Sequence, residues 1–154
     1  MTTMKNKVNI DDFLTLIYWV KTFYMFEGKN FKYQNLLEQA ETYKYKNTSL
    51  DTNIHHIDDL MIDAFVVYDK IKQTEEKVTS ILDNIKVPFF SKETMLNETK
   101  NYERIFEDLI ENYKYEDPEI RGIQKGFLGE RMKEYVAVED YESAASVRDM
   151  IKEC

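Results

Sequence analysis

Chemistry needs particular side chains held together, and this chain offers few of them. Its two histidines, His55 and His56, are adjacent. His55 belongs to a series, Asp51, His55, Asp59 and Asp63, that recurs every four residues and would line one face of a helix. Imidazole and carboxylates on one face bind zinc or iron when a second helix supplies further ligands. Di-iron bundles also use Glu-x-x-His, which does not occur here, so a solvated polar stripe is the simpler reading. The one cysteine, Cys154, stands at the last position and reads as an exposed terminal residue rather than a positioned nucleophile. No Gly-rich phosphate loop, Gly-x-Ser-x-Gly turn or His-Glu-x-x-His pair is present. Tyr43-Lys44-Tyr45-Lys46 and Tyr113-Lys114-Tyr115 interleave aromatics with lysine, as base-stacking surfaces do. Glu111, Glu116 and Asp117 weaken that reading, and tyrosines covering bundle edges and subunit contacts explain the same pattern. The expectation is a protein without catalytic residues, cofactor or metal.

Composition narrows the partners. At 154 residues the chain fits one domain with an appended element, and 43% apolar residues suffice for a core. Four glycines and two prolines are too few for the turns of a sheet protein and point to long helices. A net charge of −8 and no evident Lys/Arg cluster disfavour nucleic acid, whose affinity rests on neutralising phosphates. The same charge suits docking on a basic protein surface or mimicry of nucleic acid, beside the plainer reading of a solvated surface. A single cysteine excludes an intramolecular disulfide and fits a reducing compartment. MTTMKNKVN lacks the apolar stretch of a secretory signal. The apolar run from Phe13 to Phe26 is interrupted by Lys21 and is shorter than the ~20 residues that cross a bilayer. A cytoplasmic protein without a membrane role is expected.

The elements follow from periodicity and punctuation. Residues 1–9 read as polar and frayed. Asp11 or Asp12 caps a helix that ends at Gly28 and is apolar on more than one face: Phe13, Leu16, Ile17, Val20 and Tyr24, then Trp19, Phe23 and Phe26. Such a helix is central or covered by a second subunit; an exposed aromatic docking surface is the functional alternative. A shorter helix over residues 31–45 buries Phe31, Leu36, Leu37 and Ala40. With Thr48 or Ser49 as N-cap, a long helix runs from about Leu50 to Ile85. Its seam is Ile54, Ile57, Met61, Ala64, Tyr68, Ile71, Val78, Leu82 and Ile85, broken only at Glu75, with Phe65 and Val67 beside it. Lys86–Ser91 forms the turn, Pro88 stopping one helix and Ser91 capping the next. That helix, over residues 92–115, carries Met95, Tyr102, Ile105, Phe106, Leu109, Ile110 and Tyr113 at helical spacing. Asp117-Pro118-Glu119 is the strongest helix start, with a cap, a proline at the first helical position and an acid facing the positive helix end. Gly122, Gly126 and Gly129 then sit inside a helix at a cost, and close helix–helix approach is the favoured reason over a soft spot before the last element.

From Leu128 to Ile151 the pattern sharpens. Leu128 and Met132 lie one turn apart. Asp140-Tyr141-Glu142 opens a second run with Ala144, Ala145, Val147 and Ile151 as small and apolar positions and Arg148-Asp149 between them. Two short helices meeting through an alanine pair approach closely and make an αα-hairpin. Arg148 could bridge Glu142 or Asp140 and fix the turn, or face a partner and set register. The order and spacing of these residues resemble the UVR motif, the helical hairpin at the end of bacterial excision-repair subunits and in several adaptors and unfoldases of AAA+ protease systems. The motif usually has small residues a turn after the methionine, where this chain has Tyr135 and Val136.

The resemblance implies a docking element that pairs with another hairpin or a partner protein. Leu128, Met132, Tyr141, Glu142, Ala144, Ala145, Arg148 and Asp149 are the implied partner-binding residues. The expectation is an all-α protein: a helical bundle of roughly four helices, one of them long, over residues 1–116, and a UVR-like helical hairpin over residues 117–154. It would form a homodimer and act as a non-catalytic adaptor, regulator or inhibitor on a bacterial protein machine, a AAA+ protease or a repair complex. Its Lys-, Asn-, Tyr- and Ile-rich composition is what an AT-rich genome gives, which admits a phage-encoded inhibitor. The alternative is a DNA repair or recombination accessory that contacts nucleic acid.

Overall fold

The computed structural model describes the backbone of residues 4–52, 54, 56–82 and 89–154, and the side chains of these outside 75–95. Within them the chain is all-α but for one small ribbon: β1 (Lys7–Val8), α1 (Ile10–Phe26), α2 (Gln34–Tyr45), β2 (Leu50–Asp51), α3 (Ile57–Leu82), α4 (Phe89–Asn112), α5 (Pro118–Ala137) and α6 (Tyr141–Glu153). α1 and α4 both pack on α3, α2 lies on α1, and α5 closes over α3 and α4 before turning back into α6. The core takes in most of the predicted set. Phe13, Leu16, Ile17 and Val20 of α1 meet Ile57, Met61, Ala64, Val67, Tyr68 and Ile71 of α3, and Tyr102, Ile105, Phe106, Leu109 and Ile110 of α4. Leu60 is buried with them although the seam pattern passed over it. The second face of α1 is partly covered, Trp19 and Phe23 being half-buried. Trp19 lies against Tyr102 at 5.4 Å between ring centroids, while Met25 and Phe26 at the helix end face solvent.

Four expectations are corrected. Residues 4–9 are not frayed: β1 pairs antiparallel with β2, matching Val8 to Leu50, and Met4 is buried. Asn9, not Asp11 or Asp12, caps α1, its side-chain oxygen accepting from the Asp12 N–H at 3.0 Å. The long helix starts at Ile57 instead of near Leu50, because the Thr52 N–H and hydroxyl are both given to the Asn6 carbonyl, at 2.7 and 2.8 Å. His56 then takes a left-handed φ of 78° just before α3 begins. Ser91 lies inside α4, which already begins at Phe89. Residues 86–88 of the expected turn, and the side chains of Glu75, Val78, Leu82, Ile85 and Met95, lie outside the described residues. The start at Asp117 stands as read: its carboxylate accepts from the Glu119 N–H at 2.7 Å, with Pro118 in the first turn. Asp58, at the start of α3, accepts the Glu116 and Asp117 N–H groups at 3.0 and 2.6 Å and ties this start to the bundle.

The proposed helix face of Asp51, His55, Asp59 and Asp63 does not form. Asp51 is on β2, His55 lies outside the described residues, and only Asp59 and Asp63 stand on α3. Asp63 accepts hydroxyl hydrogen bonds from Tyr24 and Tyr33, both at 2.6 Å. Burial and that carboxylate push the Tyr24 hydroxyl up to about 12. Among the described residues no group of His, Cys, Asp and Glu is gathered as a metal site. Nor is any of their helices long and apolar enough to cross a membrane.

Candidate functional site

Helices α5 and α6 form the hairpin. After Ala137 the chain turns in three residues: Val138 closes α5 onto the Glu134 carbonyl, Glu139 takes a left-handed φ of 61°, and Asp140 caps α6. The Asp140 carboxylate accepts from the Ser143 N–H at 3.1 Å, and the Ser143 hydroxyl, with that N–H, holds its pKa below the usual range. The Asp140 N–H reaches back to the Tyr135 carbonyl at 2.8 Å. Glu139 supplies with an ordinary side chain the left-handed residue that glycine most often provides at a helix end, so the turn carries some backbone strain. Cap and back-bond together determine the angle at which α6 returns.

The seam between the two helices is small and apolar. Leu128, Val147 and Met150 are buried in one cluster with Met4, and Met132, Tyr135, Ile151 and Cys154 pack at its edge. Ala144 is buried in the same seam. The base of the hairpin is braced to the bundle by Gln124, which is 2% exposed. Its amide donates to the Ile110 and Tyr113 carbonyls at 2.8 and 2.7 Å, and its oxygen accepts from Cys154 Sγ at 3.2 Å. The Ile110 carbonyl lies in the last turn of α4, where it has no partner within the helix, and Tyr113 follows directly after the helix end. Arg131 adds an ion pair with Glu111 at 3.2 Å, and the Met4 N–H donates to Glu153 at 3.0 Å. Lys5 bonds the backbone of Asn112 and Lys114. Residues 4–6 thus connect the ribbon, the end of α4 and the end of α6.

The eight implied partner-binding residues divide by position. Leu128 and Ala144 are inside the seam and hold the hairpin together. Met132, Ala145 and Asp149 are half-buried, while Tyr141, Glu142 and Arg148 are exposed. Arg148 pairs with its neighbour Asp149 at 3.6 Å, not with Asp140, whose carboxylate is used as the cap, nor with Glu142. Cys154 is half-buried instead of an exposed terminal residue, and burial pushes its thiol up, away from the reactive thiolate. Tyr141 at the apex was among the implied residues, and Val138 beside it was missed. Val138 is 73% and Tyr141 63% exposed, and Val136 beside them is about half exposed, so three apolar side chains face solvent around one three-residue turn. The signal was present, since valine at a turn tip gains nothing from water. For the bracing by Met4 and Gln124 no local signal exists, because their partners are distant in sequence.

Residues 128–153, which span the second half of α5, the turn and α6, match the family model described as the UvrB/uvrC motif. No curated protein and no solved structure matches the chain.

Proposed function

We propose that this is a non-catalytic protein–protein interaction protein, an adaptor, regulator or inhibitor that docks through the α5–α6 hairpin onto a bacterial protein machine such as a AAA+ protease or a repair complex. The observation that carries the reading is the apolar apex of Val138 and Tyr141 on the segment that matches the motif. A lone exposed valine would mean little, but two large apolar groups beside one rigid turn form a patch whose burial favours association. Arg148, Asp149 and Glu142 flank the patch with charge, and charge at a rim sets register and encounter rate more than affinity. The net charge of −8 favours a protein partner over nucleic acid. We place the protein in the cytoplasm, and pairing of two such hairpins gives a homodimer.

The test is binding to purified AAA+ unfoldases and excision-repair subunits that carry the same hairpin, comparing the natural chain with Val138→Asp/Tyr141→Asp. Both positions are exposed, so the double variant keeps the fold. Loss of binding by ~100-fold, as expected for removing a central apolar contact, supports the reading. Undiminished binding by the variant contradicts it.

A further inference from the structure

A groove of about 490 Å³ lies between α3, α4 and α5 and shares no residue with the hairpin apex. Its floor is aromatic. Phe65 and Phe127 are half-buried and set edge to face, with ring centroids 6.0 Å apart, and Tyr68 lies 5.5 Å from Phe127. Its walls are acidic: Glu107 and Glu111 stand on α4, Glu130 and Glu134 on α5. One cation lines it, Arg131, which bridges Glu111 and Glu134 at 3.2 Å each. Lys133 pairs with Glu130 at 3.2 Å, but both are largely exposed and water screens that pair. Glu107 accepts from the Tyr68 hydroxyl at 2.7 Å.

Gly122 and Gly126 lie one turn apart in the α5 wall. A Cβ built on either would meet nothing within 4 Å, so the expected close helix–helix approach is not their reason, and the same holds for Gly129. Each glycine nevertheless costs the helix about 0.5–1 kcal/mol relative to alanine. At Gly122 and Gly126 the effect is to keep the groove wide and its wall low.

We propose that this groove receives a lysine or arginine side chain presented by a basic segment of a partner polypeptide. The aliphatic stem would lie on Phe65 and Phe127 and the cationic head between Glu107 and Glu130. Each alternative chemistry fails on one wall or the other. A wholly apolar segment would strip water from four carboxylates without replacing it, and an anionic one would be repelled. A long stem ending in a cation satisfies floor and walls together, since such side chains bury their methylenes and keep the charge at the rim. Arg131 shows how these walls hold a guanidinium. Burial raises the pKa of Glu111 despite that partner, so a second cation nearby would meet an incompletely compensated carboxylate.

The test is fluorescence anisotropy of the full chain with a labelled Arg-Ser repeat peptide, beside the same peptide with glutamine for arginine. Saturable binding of the arginine peptide alone is expected. It should weaken ~tenfold or more in Gly126→Leu, which fills the groove, and in Glu107→Gln/Glu130→Gln, which keeps the Tyr68 acceptor but removes charge. Glu38→Gln/Glu41→Gln, on the exposed face of α2, should bind as the natural chain does. Val138→Asp/Tyr141→Asp should also leave it unchanged, which separates this site from docking at the apex. The inference is overturned by absence of saturable binding, by equal binding of the glutamine peptide, or by full binding in the two groove variants. An equal loss in the α2 variant, the mark of bulk charge alone, overturns it too.

Discussion

Gln124 is the residue on which the hairpin's attachment most depends, because one amide satisfies two carbonyls at the end of α4 while its oxygen holds Cys154. Gln124→Leu keeps the volume but strands both carbonyls in a buried place. The expected loss is ~2 kcal/mol, from the usual range for buried unsatisfied groups, measured by urea unfolding. Glu111 gives a pH signature. Burial raises its pKa above the ordinary 4.5, with Arg131 opposing in part, so ionisation is harder in the folded chain than in the unfolded one. Its contribution to stability is therefore complete below that value and is lost as pH rises through the raised folded pKa. The natural chain should lose stability over this window relative to Glu111→Gln, and parallel pH–stability curves for the two would contradict the assignment. Single polar residues were the least legible in the sequence. The carboxylates that looked like a metal stripe are engaged elsewhere, Asp63 by two tyrosines brought from α1 and the start of α2. Such partners are 30 and 39 residues away, and spacing along one helix carries no trace of them.

At the scale of elements, the strongest signals were those written within one turn of chain. Asp117-Pro118-Glu119 opens α5 and Gly28 ends the first helical segment in a left-handed φ of 67°, as their chemistry dictates. The apolar periodicity of α1, α3 and α4 identified most of the core because burial is what creates it. The start of α3 was misread for the opposite reason: Leu50 and Thr52 are claimed by the ribbon, a pairing with residues 6–8 that local propensity cannot report. Two element-scale outcomes follow. Gly126→Ala should stabilise the chain by ~0.5–1 kcal/mol, since the added methyl meets open space and the helix gains propensity. Destabilisation instead would mean that a close neighbour occupies the groove. Asp140→Ala should lower Tm at neutral pH by removing the α6 cap. Hydrogen bonding to Ser143 lowers the Asp140 pKa, so the cap's contribution is present above the ordinary 3.8 and is lost as pH falls through the folded value. The gap in Tm between the two chains should accordingly narrow on acidification below that value.

At the scale of the whole molecule, the bundle carries the hairpin. The bundle presents α5 as a firm post, anchored by Ile120 in the main core, by Asp58 on the start of the helix and by Gln124 at mid-length. The hairpin then projects an apolar apex from that post. Its identity was the most legible feature of the sequence, because a compact hairpin needs small residues at fixed spacing and a cap at a fixed place. Its proposed docking surface was less legible, since Leu128 and Ala144, prominent in the pattern, serve the seam, whereas Val138 lies in the gap between the two helical patterns. The measurement closest to the central proposal is affinity capture from a bacterial lysate by the tagged full chain and by Val138→Asp/Tyr141→Asp, with melting curves showing both folded. The account predicts one protein or complex retained by the natural chain and lost from the variant. Equal retention by both folded chains would contradict docking through the apex.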